Sequence, residues 1–279
     1  MRVLVTRPAN EAAPWLTALQ AAGHDTVALP LIDIQPAADP AAVQAAWQHV
    51  PACHAIMFVS AAAVHYFFAA AKASGAVDLA QHLGRTRCWA TGQGTRKRLL
   101  QAGVPEGLID SPAADAGQFD SEALWRVVAA QITAAPPGQR CEVMIVRGSE
   151  AHASHSDAPQ DPQPGAQQGA GRDWLAQTLQ AAGASVRWVV SYQRGLPLWQ
   201  DAQQQLARHA SADGSVWCFS SSQAIVFLQT LMPALRWSQA RCLVTHPRIA
   251  QAARAAGFGE IALSRPLVAD VVASLESMA

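Results

Sequence analysis

The stretch Ser215-Val216-Trp217-Cys218-Phe219-Ser220-Ser221-Ser222-Gln223-Ala224-Ile225 decides the fold. An apolar run of strand type enters three serines, and a helix-spaced set, Ala224, Phe227, Leu228 and Leu231, follows. The same order occurs upstream in Ile56-Met57-Phe58-Val59-Ser60-Ala61-Ala62-Ala63-Val64. Each copy is succeeded by a second apolar run that ends in a polar turn. These are Arg87-Cys88-Trp89-Ala90-Thr91-Gly92-Gln93-Gly94-Thr95 and Arg241-Cys242-Leu243-Val244-Thr245-His246-Pro247-Arg248-Ile249.

A second pair of segments repeats as well. Leu16-Thr17-Ala18-Leu19-Gln20-Ala21-Ala22-Gly23 recurs as Leu175-Ala176-Gln177-Thr178-Leu179-Gln180-Ala181-Ala182-Gly183, identical over Leu-Gln-Ala-Ala-Gly. Allowing for an insertion, Arg7 then matches Arg147, each just after an apolar strand. The chain order is A, B, A′, B′, every unit strand–turn–helix, which is the grammar of α/β proteins with parallel sheets. Ligands of such sheets bind outside the carboxyl ends of strands. The polar turns Thr6-Arg7, Ser60, 91–95, Arg147-Gly148, 220–222 and 245–248 all fall there, most of them leading into helix N-termini. Free backbone N–H groups at such ends bind carboxylates or phosphates, about 0.3–1 kcal/mol each from the dipole alone. The pattern therefore suggests a multi-anionic ligand between two half-molecules. The plain alternative is that these serines and threonines cap helices and do nothing else.

Between these turns the spacing predicts a buried strand at residues 3–5, and a helix capped by Asn10 and stopped by Gly23. It predicts one strand over residues 27–34, which Pro30 suggests lies at an edge or continues as a crossing ribbon, and a linker at 35–40. Helices follow at 41–50, 62–73 and, capped by Asp120 or Ser121, around Leu124 to Ile132. A strand at 142–146 ends at Arg147-Gly148. Residues 149–170 are rich in Pro, Gln, Ala, Gly, Ser and His, cannot bury enough apolar surface to offset ordering, and are expected to form a disordered insertion; His152 and His155 read as solvated loop. A strand at 185–191, a second connector, and a helix at 199–209 precede the second serine turn. The final strand is expected to end at Thr245, with helices at 249–256 and 268–276 after it.

Composition narrows the function. The 279 residues are 51% hydrophobic and 14% charged, with a formal net charge of zero, which argues against a nucleic-acid binder with its basic stripe. Five scattered cysteines without a CxxC read as free, mostly buried thiols of a reducing compartment. No signal-peptide pattern opens the sequence, and the longest apolar stretch, 56–71, is too short to span a bilayer, so a soluble cytoplasmic protein is expected. Gly92-Gln93-Gly94-Thr95 lacks the third glycine of a dinucleotide loop and the spacing of a phosphate loop. No serine stands in a nucleophile elbow, no His/Cys/Asp set has metal-ligand spacing, and no carboxylate pair stands out for acid–base work.

The motifs together resemble the uroporphyrinogen-III synthase family. Val5-Thr6-Arg7-Pro8, Phe58-Val59-Ser60, Ala90-Thr91-Gly92-Gln93-Gly94-Thr95, Asp120-Ser121-Glu122 and Val146-Arg147-Gly148 carry the resemblance in the first part. Gly171-Arg172-Asp173-Trp174-Leu175, Ser191-Tyr192-Gln193-Arg194, Phe219-Ser220-Ser221-Ser222 and Thr245-His246-Pro247-Arg248-Ile249 complete it. Each is short; their number and order make the match, which covers nearly the whole chain outside the insertion. The resemblance implies two parallel-sheet α/β domains, flavodoxin-like, joined by a two-stranded β ribbon across a deep interdomain cleft. Domain one would be discontinuous, residues 1–34 and 195–279; domain two would be 40–188; 35–39 and 189–194 would be the connectors.

The implied reaction needs no cofactor and no metal. Linear hydroxymethylbilane loses water and closes with inversion of its D ring to uroporphyrinogen III, a lyase reaction of tetrapyrrole (haem) biosynthesis. The implied protein is a cytoplasmic monomer with this small-molecule substrate, handed over by the preceding synthase, and with no nucleic-acid or membrane partner. Tyr192 matches the family's tyrosine and would position or protonate the leaving hydroxyl; a phenol keeps its proton at neutral pH but is a weak acid. The other reading of Tyr192 is a packing residue of the ribbon. Ser60, Thr95, Ser221 and Gln223 match substrate-facing positions, and Ser222 and Thr245 lie in the same turns. Arg7, Arg147 and Arg248 either contact the substrate's propionates or anchor strand ends. Ala62 and Ile249 depart from the Asn or Arg and the Thr that many relatives carry. A non-catalytic tetrapyrrole- or anion-binding module of the same fold, and a nucleotide-dependent enzyme using residues 91–95, are the competing classes.

Overall fold

The computed structural model describes residues 1–73, 75, 78–113, 120–134, 141–150 and 170–278. The chain divides into two compact units, residues 1–34 with 194–279, and residues 35–193.

The first unit begins with β1 (Arg2–Val5), α1 (Ala9–Ala21) and β2 (Asp25–Ala28). The chain then builds the second unit from β3 (Asp33–Pro36), α2 (Pro40–His49), β4 (Ala55–Phe58), α3 (Ala61–Ala73), α4 (Leu79–Leu83), β5 (Arg87–Ala90) and α5 (Gln93–Ala102). It continues there with β6 (Ile109–Asp110), α6 (Ser121–Thr133), β7 (Glu142–Glu150), α7 (Ala170–Ala181) and β8 (Ser185–Gly195). The first unit is completed by α8 (Asp201–Ala210), β9 (Val216–Phe219), α9 (Ser222–Leu231), β10 (Arg241–Val244), α10 (Pro247–Ala256), β11 (Glu260–Leu263) and α11 (Val268–Glu276).

The sheet of the first unit runs β11-β10-β9-β1-β2, all pairs parallel. Taken in chain order this is the 2-1-3-4-5 arrangement of flavodoxin-like sheets, whose direction of winding reverses between β1 and β9. The sheet of the second unit runs β3-β8-β7-β4-β5-β6, with β4 parallel to both β5 and β7. Exchanging β1, β2, β9, β10 and β11 for β7, β8, β4, β5 and β6 converts the first order into the second, apart from the added edge strand β3. Each unit thus takes one A-type and one B-type segment, but from opposite halves of the chain.

Strand alternation sends side chains to both faces of each sheet. In the first unit Leu4, Trp217 and Cys242 stand in register and pack under α8, α9 and α10. Val3, Val5, Val216 and Leu243 face Leu19 of α1 and Val271 and Leu275 of α11. In the second unit Met57, Trp89 and Ile145 face Leu124, Val128 and Leu179 of α6 and α7. On its other face Phe58 meets Phe67 and Phe68 of α3 at 5.7 and 5.6 Å, and Trp47 of α2 completes the cluster. Each fully buried side chain of this size contributes roughly 1.5–3 kcal/mol.

The helix ends carry the repeat too. Gly23 N–H donates to Gln20 O and His24 N–H to Leu19 O; Gly183 N–H donates to Gln180 O and Ala184 N–H to Leu179 O. Both are the paired bonds of a Schellman stop, with the glycines at φ +85° and +91°, where a Cβ would be strained. The same pair of bonds closes α5 and α10.

Five local expectations need correction. Residues 27–34 are not one strand: β2 ends at Ala28 and β3 starts at Asp33. Leu29 and Leu31 N–H still reach Val5 and Thr6 O, but Pro30 between them has no N–H to continue the ladder. Asn10 does not cap α1, because the helix has already begun at Ala9 with Pro8 at the cap position. The strand expected at 142–146 runs to Glu150, which takes Ser149 and Glu150 out of the predicted insertion. Ala170 begins α7, and the rest of that insertion, 151–169 with His152 and His155, lies outside the described residues. Thr245 does not end the last strand, since β11 follows as an edge partner of β10.

Candidate functional site at the strand ends

In each unit the winding reverses between two strands whose carboxyl ends carry the polar turns read from the sequence, and ligands of such folds collect there. In the second unit these strands are β7 and β4. Ser60 follows β4, and its Oγ accepts a hydrogen bond from Ala63 N–H at 3.1 Å, capping α3. The same Oγ lies 3.1 Å from Tyr192 Oη. A hydroxyl has two lone pairs and one proton, so Ser60 can accept from the amide and donate to the phenol oxygen, which leaves the phenol its own proton to give. Tyr192 sits on β8 and is only 4% exposed. Its ring lies on Gly148 of β7, where an added Cβ would overlap Cζ, Cε2 and Cε1 of the ring. Tyr66 of α3 stacks on it with centroids 6.0 Å apart. The neighbouring Ser191 Oγ donates to Ala63 O at 3.3 Å, tying β8 to the first turn of α3. Gly148 is therefore required by the close approach of an aromatic ring, and the phenol is held by Gly148, Tyr66 and Ser60.

Arg147 extends its guanidinium over the Trp188 ring, 4.5 Å from the centroid. Thr95 is buried in the first turn of α5, whose N-terminus at Gly92 has no side-chain cap. Ala62, in the first turn of α3, is buried. His65 of α3 meets Arg98 of α5 at 2.6 Å, and burial, then the charge of Arg98, pushes its pKa below the usual value of 6.5.

In the first unit the corresponding strands are β1 and β9. Thr6 Oγ1 donates to Cys218 O at 2.6 Å and bridges their ends. Arg7 stacks over Trp15 of α1, 4.2 Å from the ring centroid, with Glu11 at 3.6 Å. Burial lowers its pKa, the Glu11 charge opposing. Ser221 Oγ accepts from Gln223 N–H at 3.2 Å and caps α9; Ser222 opens the helix, and Gln223 is buried. His246 Nδ1 accepts from Arg248 N–H at 3.0 Å and caps α10, leaving Arg248 exposed. Ile249 is part of the core of this unit, which accounts for an apolar residue there. A small pocket lined by Arg7, Trp15, Cys218, Ser220 and Thr245 sits at these ends. Trp15 and Ser220 belong to this pocket although the sequence reading did not select them as site residues.

Two other groupings bear on chemistry. Burial lifts the thiols of Cys88, Cys218 and Cys242 to about 12, so all three stay protonated and inert. Among the described residues one set could hold a metal ion, His49, Cys53 and Glu142, with donor atoms within 4.8 Å of one another. Sequence spacing alone offered no such set, because Glu142 lies 93 residues from His49.

Fold and site together define a two-unit, doubly wound α/β protein whose strand ends carry polar turns, one of which meets a buried tyrosine through a half-buried serine. No described helix is long and apolar enough to cross a membrane. The family model for uroporphyrinogen-III synthase HemD matches residues 13–154, just over half of the chain. The chain belongs to the uroporphyrinogen-III synthase family. It is 36% identical over 105 residues to the uroporphyrinogen-III synthase of Chlorobaculum parvum, a match spanning 37% of this chain and 39% of that protein. Uroporphyrinogen-III synthetase from Helicobacter pylori shares the fold over 100% of both chains, with a TM-score of 0.55 and 14% identity. A mutant uroporphyrinogen III synthase from Thermus thermophilus does so over 100% of this chain and 98% of its own, with a TM-score of 0.54 and 16% identity.

Proposed function

We propose that the protein cyclises hydroxymethylbilane to uroporphyrinogen III, with loss of water and inversion of the D ring. The observation that carries this reading is the Tyr192–Ser60 pair at the β4 and β7 ends, in a chain of this family. Loss of the terminal hydroxyl needs a proton or a hydrogen-bond donor. Tyr192 Oη is the donor, and Ser60, Gly148 and Tyr66 fix its direction. As the protonated hydroxyl leaves as water, the carbon it departs from becomes cationic. The substituted D-ring carbon attacks it, the bond from that D-ring carbon to its bridging methylene breaks, and the methylene cation so formed closes on the unsubstituted D-ring carbon, which gives up its proton. Directing the first attack to the substituted carbon is a matter of folding the bilane, so positioning and exclusion of water supply most of the rate.

The substrate's eight carboxylates need donors rather than a large net charge, and the net charge here is zero. Ser60, Thr95 and Arg147 would serve them in the second unit. Arg7, Ser221, Ser222, Gln223, Thr245 and Arg248 would serve them in the first. Thr95 and Gln223 are buried, and Ser60 and Ser221 already cap helices, so backbone N–H groups of the helix N-termini carry much of this binding. The same reading has the protein act as a cytoplasmic monomer on bilane passed from the enzyme that makes it.

The test is a coupled assay in which hydroxymethylbilane is generated in situ and the oxidised products are separated into isomers I and III. Predominantly isomer III is the expected result. Only isomer I, the spontaneous product, from folded protein would replace this reading with that of a tetrapyrrole-binding module.

A further inference from the structure

We propose that His49, Cys53 and Glu142 form a binding site for one divalent ion of zinc type, independent of the cyclisation site. His49 is the last residue of α2, Cys53 follows the 3-10 turn Val50–Ala52, and Glu142 opens β7. Their donors are an imidazole nitrogen, a thiol sulfur and a carboxylate oxygen, the mixed set that suits a tetrahedral zinc ion with water in the fourth position. His49 Nε2 already stands 3.1 Å from Glu142 Oε1, and all three donors fall within 4.8 Å. Ligand atoms around zinc lie roughly 3.3–3.7 Å apart, given bonds of about 2.0–2.3 Å. Closing the set takes side-chain adjustments of about an ångström.

The backbone that presents these groups is fixed. Thr86, buried, directs its Oγ1 at both Val50 O and Cys53 O, each at 3.0 Å, and so clamps the turn between the first two ligands. His54 N–H donates to Glu142 O at 2.8 Å and holds the third ligand beside them. Arg187 Nε donates to Glu142 Oε1 at 2.6 Å; half-exposed, it can move to Oε2 and orient the carboxylate, as outer-shell partners of metal ligands do. Binding replaces the Cys53 S–H bond by a sulfur–metal bond, and the proton goes to solvent. The thiolate and the carboxylate together balance the charge of a divalent ion.

Glu142 and Gly148 lie near opposite ends of β7, six residues or about 20 Å apart along the strand. The ion would therefore staple α2 to β7 and leave the chemistry at Tyr192 untouched. This places the proposal beyond the cyclisation reading, and either can fail without the other.

The test uses the full chain, reduced and metal-free, titrated with Zn2+ and separately with Co2+. One equivalent should bind, the Co2+ form should show an intense thiolate-to-cobalt charge-transfer band, and Zn2+ should raise the melting temperature. Cys53→Ser should abolish the band, and His49→Gln should weaken binding by more than the ~10–100-fold that loss of an outer-shell partner costs. If Cys53→Ser fails to fold, the band in the unaltered protein and the higher Co2+ concentration needed to develop it in His49→Gln decide the matter. No stoichiometric uptake, or uptake without a thiolate band and unchanged in Cys53→Ser, means an adventitious ion only and overturns the proposal.

Discussion

The two units carry the same scaffold and different chemistry. Aligned on their shared Leu-Gln-Ala-Ala-Gly helix ends, Ser191-Tyr192 of the second unit fall on Leu31-Ile32 of the first. Leu31 and Ile32 are core residues, whereas Tyr192 turns its hydroxyl to Ser60. Gly148, which the tyrosine ring covers, corresponds to Pro8, which begins a helix. The arginines before them, Arg147 and Arg7, both stack on tryptophan, but on Trp188 of a strand in one unit and Trp15 of a helix in the other. One repeat keeps a hydroxyl where the other has completed its core. The strand-end architecture is thus common property, and the proposed proton donor is local to the second unit.

The sharpest way to break this contrast is at the matched pair Tyr192 and Ile32. Tyr192→Phe should lower turnover about 10²-fold, while stability stays within about 1.5 kcal/mol. Ile32→Val should cost about 0.5–1.5 kcal/mol of stability and leave turnover in place. Steady-state kinetics beside denaturant unfolding read both; unchanged turnover in Tyr192→Phe would remove the phenol from the mechanism. Next comes Gly148→Ala, whose methyl group must displace the tyrosine ring, at about 1–3 kcal/mol together with lost turnover. Pro8→Ala in the other unit, where no side chain caps the helix, should stay within about 0.5 kcal/mol.

How much of this was legible in the sequence follows from what kind of signal each feature leaves. The A, B, A′, B′ order was legible because buried parallel strands read as apolar runs and Schellman stops need glycine, so both repeats leave marks within a few residues. The edge strands β6 and β11 were not, since Ile109-Asp110 and 260–263 are short and half-exposed and form no apolar run. Asn10 was misread as a cap because cap chemistry suits several adjacent positions, and only the backbone at Pro8 selects one. Tyr192 was found through resemblance. Its burial against Gly148 depends on which strands become neighbours, and no local pattern holds that information.

The two capping serines sharpen the comparison further. Ser221→Ala and Ser60→Ala each lose a helix cap worth about 1 kcal/mol. Only Ser60→Ala should also lower kcat, because it alone holds Tyr192; Ser221→Ala should at most raise KM a few-fold. A kcat loss of equal size in both would dissolve the distinction between the units.

The smallest effect is one of pH, and it too belongs to the second unit. Burial, then the charges of Arg87 and Arg98, push the pKa values of His54 and His65 below 6.5. As pH falls through 6.5 the unfolded chain takes up these protons before the folded one does, so the folded state loses stability toward acid and regains it as pH rises. Urea midpoints at about pH 5.5 and 7.5 should differ in that direction, and the gap should narrow in the His54→Gln, His65→Gln double variant.

The exchange of segments between units also sets a timetable for synthesis on the ribosome. Residues 35–193 are contiguous, so the second unit can complete its sheet while later residues are still being added. Strand β1 cannot: Thr6 waits for Cys218, 212 residues downstream, before it has its neighbour. At about 5–20 residues per second this is a delay of roughly 10–40 s. Throughout it the apolar run Val3-Leu4-Val5 lacks its β9 neighbour, and an unpaired strand edge of this kind is open to other partners.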